Sequence, residues 1–155
     1  MSKCIIGIDP GASGALCVIT SDTFQRKPRQ LVQIIRLDNP DVYDFVNNLS
    51  ISKPKAFIEF IDRRKRWGKS GIAQMRSISE NYGYWCGFLK GVGISYETVE
   101  SNIFSSVCGC KLKIYNYACQ KEANWQAAKR LYPDMIIQKD AADAVLIAHY
   151  GSLRT

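Results

Sequence analysis

Four acidic residues, Asp9, Glu59, Asp140 and Asp143, stand where two divalent cations would need them. Asp9 ends an apolar run, KCIIGID, and Glu59 lies in a second one, PKAFIEF. Asp140 and Asp143 form a DAAD pair that opens a helical pattern, DAADAVLIAHY. Residues three apart share a helix face, so two strand-borne acids can meet two helix-borne acids across a sheet edge. Mg²⁺ prefers carboxylate oxygen, and two such ions about 4 Å apart can clamp an in-line phosphoryl displacement. Each acid also has a plainer use, since aspartate is a common helix N-cap and a strand can end on a charge. A charge inside an apolar strand is nevertheless costly to bury unless paired or metal-bound. Four acids in such settings favour the metal reading.

The elements that must position these acids follow from periodicity. KCIIGID and ALCVITS read as two strands around a turn, PGASG, in which Gly11 and Gly14 supply backbone freedom and Pro10 stops the first strand. QLVQIIRL (30–37) reads as a third strand. NPDVYDFVNNLS (39–50) carries a proline near its start and apolar residues at helical spacing. PKAFIEF (54–60) reads as a central strand and 61–71 as a charged loop. A longer helix is expected from Ser70 to about Lys90, with Ile72, Met75, Ile78, Tyr82, Trp85, Cys86 and Leu89 forming one stripe. Gly83 and Gly87 interrupt it at a four-residue spacing, a mark of close helix packing, and the stripe reads as core, part of which could be a dimer seam. ISYETVE (94–100) reads as a fifth strand, KEANWQAAKRLYP (121–133) as a helix with a proline stop, and 140–153 as the last helix. Residues 101–120 show no clear period. The order describes an α/β layered domain, and 155 residues suit one domain, spanning 1–155.

The charge balance points to the partner. Lys and Arg number 21 against 14 Asp and Glu, a net charge of +7 that favours a polyanion. The charge gathers in QRKPRQ (25–30) and DRRKRWGKS (62–70), and the second run follows Glu59 directly. Arg63, Arg64, Lys65, Arg66 and Lys69 are therefore candidate phosphate contacts, and Trp67 a candidate platform for an unpaired base. Lys121 or Lys139 could steady a pentavalent phosphorus. A solvated loop or surface charge is the plainer alternative in each case. Six cysteines lack the paired spacing of a zinc site and are expected to be reduced thiols. His149, the lone histidine, reads as a packing or surface residue. No segment approaches the roughly 20 apolar residues of a membrane span, and the N-terminus has no signal-peptide pattern. A soluble, cytoplasmic protein with no membrane partner is expected.

With Asp9 in IIGIDPGASGALCVI, Glu59 in FIEF and KDAADAVLIAHYG near the end, the chain resembles the RuvC-like Holliday junction resolvases. It looks most similar to their compact bacteriophage branch. SISENYGYWCGFLKGVGISYETVE resembles that family's long helix and following strand, and KEANWQAAKRLYP its next helix. The resemblance implies an RNase H-like fold with a central mixed five-stranded sheet flanked by helices. It implies a homodimer and Mg²⁺- or Mn²⁺-dependent nicking of opposed strands at a four-way DNA junction. The family's four acidic ligands carry over to Asp9, Glu59, Asp140 and Asp143. The family also sets aromatic and basic groups in the loop after the glutamate strand; here Asp62 stands at the aromatic's position and Trp67 is the available substitute.

Three other readings stay open. A looser nuclease would cut many branched DNAs. A binding module would keep the fold without catalysis, although clustered acids then have no use. GIDPGASGA also resembles the phosphate loop of actin-like sugar kinases and chaperone ATPases, but that architecture needs two domains and gives the DAAD pair no role.

Overall fold

The structure is a computed structural model, and it describes residues 2–11, 13–22, 30–61, 71–114 and 116–155. Five strands form one sheet: β1 (Ser2–Asp9), β2 (Ala15–Asp22), β3 (Gln30–Arg36), β4 (Lys55–Glu59) and β5 (Ser95–Val99), in the order β3-β2-β1-β4-β5. β1, β2 and β3 pair antiparallel, whereas β4 joins β1 and β5 joins β4 in parallel. The helices are α1 (Val42–Leu49), α2 (Gly71–Gly91), α3 (Ser101–Val107), α4 (Tyr117–Leu131) and α5 (Ala142–Arg154). This is the mixed five-stranded sheet flanked by helices that the resemblance implied. No helix among the described residues is long and apolar enough to cross a membrane.

Successive strand residues face opposite sides, and β1 is apolar on both. Cys4, Ile6 and Ile8 pack with Leu16, Val18, Ala56 and Ile58 against α1 and α2. There Val42, Val46, Trp85 and Leu89 are buried, and Tyr43 stacks on Trp85. Ile5, Cys17, Ile19 and Phe57 face the other way, into a layer made by α3, α4 and α5. α5 crosses β1, β2 and β4, and nearly every residue from Ala142 to Gly151 is buried. Glycine permits this close crossing: a Cβ on Gly7 would lie 2.3 Å from the Ala148 nitrogen and 2.4 Å from the Ala144 oxygen.

The structure departs from the sequence reading in four places. α4 begins four residues earlier than the helical period suggests. Asn116 caps it, accepting from the Cys119 N–H at 3.1 Å, and residues 116–119 are exposed, so no apolar stripe marks that turn. Residues 101–107, which have no clear period, form the short helix α3. Asp140 precedes α5 in a 3-10 turn, Lys139–Ala141, while Asp143 sits in the first turn of α5. Gly11 and Gly14 serve by leaving room; the glycines with positive φ among the described residues are Gly93 and Gly109. A Cβ on Gly14 would fall 2.1 Å from the Asp9 carbonyl oxygen, and one on Gly11 would fall 3.1 Å from Asp9 Oδ1.

Candidate active site

β1 and β4 are parallel neighbours with Ile8 opposite Ile58, so Asp9 and Glu59, the last residues of their strands, end side by side. Alternation turns both towards the face that α5 covers. Asp9 is only 6% exposed, and its Oδ1 accepts the Gly11 N–H at 2.9 Å. Asp143 is 7% exposed. Its Oδ2 accepts from Lys121 Nζ at 2.7 Å and its Oδ1 from Asn124 Nδ2 at 2.7 Å. Asp140 is paired with Arg36, the last residue of β3, which also reaches Asp38 at 3.3 Å.

These groups act on one another. Burial and then the charge of Asp143 push the Asp9 carboxyl up to about 6, with a smaller push from Asp140; Lys121 and the Gly11 N–H oppose the shift. Burial pulls the Lys121 ammonium down, but Asp143 and Asp9 outweigh it and hold the group above its usual range. Lys121 is thus the resident positive charge between two carboxylates.

Whether the residues suit a metal turns on the donors. All four are carboxylates, the set a hard divalent cation prefers, and Asp9 feels the charge of both Asp143 and Asp140. Among the described residues no three His, Cys, Asp or Glu side chains stand as a ready cage for one ion; Asp140 and Asp143 are engaged by Arg36 and Lys121. The site fits a hard divalent cation in donor type and in its buried carboxylates, Asp9 and Asp143.

A cleft of about 300 Å³ opens beside these acids. Glu59, Asp143 and Lys121 line it, together with Lys111, Lys113 and Tyr117. Lys111, Lys113 and Tyr117 are exposed. They come from residues 101–120, where periodicity offered no guide, although two lysines and two tyrosines within seven positions were a compositional signal. Arg36 and Asn124 are further residues the sequence reading passed over. A buried asparagine among apolar neighbours on α4, at 4% exposure, was the available hint for the second.

The other candidates divide clearly. Arg63, Arg64, Lys65, Arg66, Trp67 and Lys69 lie outside the described residues. Lys139 pairs with Glu122 at 2.6 Å. His149 shares a hydrogen bond with the Tyr132 hydroxyl at 2.9 Å and packs edge-on to that ring, a packing role. All six cysteines are free thiols.

No family model matches the chain, and no curated protein matches it in sequence. Solved structures do match in shape. RuvC of T. thermophilus in complex with a Holliday junction substrate aligns with a TM-score of 0.62 at 14% identity, over 98% of this chain and 95% of that one. A Thermus thermophilus RuvC structure aligns with a TM-score of 0.58 at 15% identity, over 100% and 98%. The Fowlpox virus resolvase, in a complex with substrate Holliday junction DNA, aligns with a TM-score of 0.54 at 12% identity, over 97% and 99%. The strand order, the α5 crossing and these alignments agree: the chain has the RNase H-like fold.

Proposed function

We propose that residues 1–155 form one nuclease domain, a divalent-metal-dependent endonuclease that nicks opposed strands of four-way DNA junctions as a homodimer. The observation that carries this reading is that buried Asp9 ends β1 beside the strand end that bears Glu59, within reach of the charges of Asp143 and Asp140. Its fold is that of two resolvases solved with Holliday junction DNA, which supports branched DNA as the substrate.

Asp9, Glu59, Asp140 and Asp143 would hold the ions. Bound Mg²⁺ or Mn²⁺ supplies an activated water and charge stabilisation for the leaving 3′-oxygen. The chain's own groups do the rest. Burial of Asp9 and Asp143 keeps bulk water from the carboxylates, which strengthens their hold on a cation. Lys121 remains protonated against Asp143 and sets positive charge next to the reacting phosphate. Lys111 and Lys113 offer phosphate contacts along the cleft, and Tyr117 offers a ring for stacking. Arg63, Arg64, Lys65, Arg66 and Lys69 extend that basic track in sequence from Glu59, with Trp67 among them.

Two symmetric nicks on a two-fold junction call for a two-fold dimer. On α2, Gly83, Gly87 and Gly91 are exposed, and no described atom of the chain lies within 4 Å of where their Cβ atoms would stand. Among the described residues the close packing this spacing suggested is not met, which supports the exposed face of α2 as the seam.

The test is cleavage of a labelled four-way junction with Mg²⁺ or Mn²⁺, beside a three-way junction, a flap and linear duplex, with Asp140→Asn as control. Paired nicks confined to the four-way junction and lost in the variant support the proposal. Equal cutting of every branched form makes the protein a general debranching nuclease. Binding without cutting of any substrate makes it a binding module.

A further inference from the structure

Asp143 is held through a chain of hydrogen bonds whose direction is determined from its far end. The Leu112 backbone N–H donates to Gln120 Oε1 at 3.0 Å, and a backbone N–H can only donate. That turns Gln120 Nε2 towards the Cys110 carbonyl oxygen at 2.9 Å and Asn124 Oδ1 at 2.8 Å. Asn124 Oδ1 also accepts from Ser105 Oγ at 3.4 Å and from Cys110 Sγ at 3.3 Å. With its oxygen so occupied, the Asn124 amide presents its nitrogen to Asp143 Oδ1. Lys121 takes the other oxygen, Oδ2. Cys110 and Leu112 flank Lys111, which lines the cleft. The cleft wall and the buried acid are thus joined by two amides, four residues apart on α4.

We propose that Gln120 and Asn124 are positioning residues. They hold Asp143 by Oδ1, which leaves Oδ2, the oxygen that Lys121 reaches, as the one that can turn to a cation, and they make cation affinity there depend on the 110–112 segment. The proposal rests on the metal reading above. A carboxylate free to rotate would share both oxygens between the site and its other donors; one oxygen tied back presents a single, oriented ligand. Groups that orient a metal ligand in this way typically govern affinity by about 10–100-fold.

Mn²⁺ binding to the DNA-free protein, read from the electron paramagnetic resonance signal of free Mn²⁺, separates the possibilities. The proteins are wild type, Asp143→Asn, Asn124→Leu, Gln120→Leu and the double variants of the last two with Asp143→Asn. Asn124→Leu is expected to weaken Mn²⁺ binding about 10–100-fold, and Gln120→Leu to weaken it less. Neither is expected to add to the loss in Asp143→Asn. Circular dichroism checks folding, and if Asn124→Leu does not fold, Gln120→Leu decides. Wild-type affinity in the folded position-124 and position-120 variants, with Asp143→Asn weakened, overturns the positioning role and leaves the metal reading standing. Fully additive losses in the double variants overturn it too, because the amides then act elsewhere. Wild-type affinity in Asp143→Asn overturns the metal reading, and this inference with it.

Discussion

Gly7→Ala tests how the site is assembled, because Gly7 touches no acid yet sets the distance between two of them. Its Cβ would meet the Ala148 nitrogen at 2.3 Å, the Ala144 oxygen at 2.4 Å and the Ala148 Cα at 2.8 Å. All three are backbone atoms, so no side chain can rotate away. Ordinary contact begins at 3.4 Å, so α5 must lift from β1 by about 1 Å at this crossing. Overpacking of this kind costs about 1–3 kcal/mol, and rigid neighbours put it at the upper end. At about 2–4 °C per kcal/mol for a chain of this size, Tm should fall by roughly 6–12 °C. Asp143 is on the lifted helix and Asp9 is two residues along the unmoved strand, so their separation grows with the lift. A misplacement of about 1 Å can cost roughly 100-fold in rate. Scanning calorimetry gives the first quantity and single-turnover nicking of a four-way junction gives the second. A variant with the Tm and nicking rate of the wild type would refute the crossing, and with it the means by which α5 brings Asp143 to Asp9.

Other substitutions have distinct expected outcomes. Asp143→Asn should keep junction binding in a gel shift while nicking disappears; a wild-type rate would remove Asp143 from the site. Lys121→Met leaves Asp143 and Asp9 without their shared cation and should cost about 1–3 kcal/mol. Mg²⁺ should then raise Tm more in the variant than in wild type, and an equal rise would show that Lys121 and the metal do not answer the same charge. Gly87→Ala has open space for its Cβ and should raise the helix propensity of α2 by about 1 kcal/mol. It should weaken the dimer in sedimentation equilibrium, and an unchanged dimer constant would move the seam off this face. Burial holds His149 below its ordinary 6.5, so the unfolded chain takes up the proton first. The stability this provides is complete above about pH 6.5 and is lost as pH falls towards the folded-state value. Urea midpoints between pH 8 and 5 should show that loss in wild type and a smaller one in His149→Gln; identical slopes would contradict the buried neutral ring.

Much of this protein can be read along the chain because the physics there is local. Continuous apolar runs made β1, β2 and β4 evident, and Pro133 marked the end of α4 to within two residues. Asp9 and Glu59 drew notice as charges in apolar strands, and the DAAD spacing as a helix-face pair. α3 and the first turn of α4 were not legible, since Ile103, Val107 and Tyr117 are exposed apolar residues that blur any period. Nothing local could show that the strand ends bearing Asp9 and Glu59 are adjacent, because that depends on a parallel pairing of β1 and β4 across 45 intervening residues. Nor could it show Arg36 on Asp140, Lys121 on Asp143, or Asn124 behind Asp143. Those contacts join residues 19 to 104 positions apart. They exist because glycine lets α5 settle onto β1, so the residue types set the available chemistry while the packing of one helix on one strand selects which charges meet.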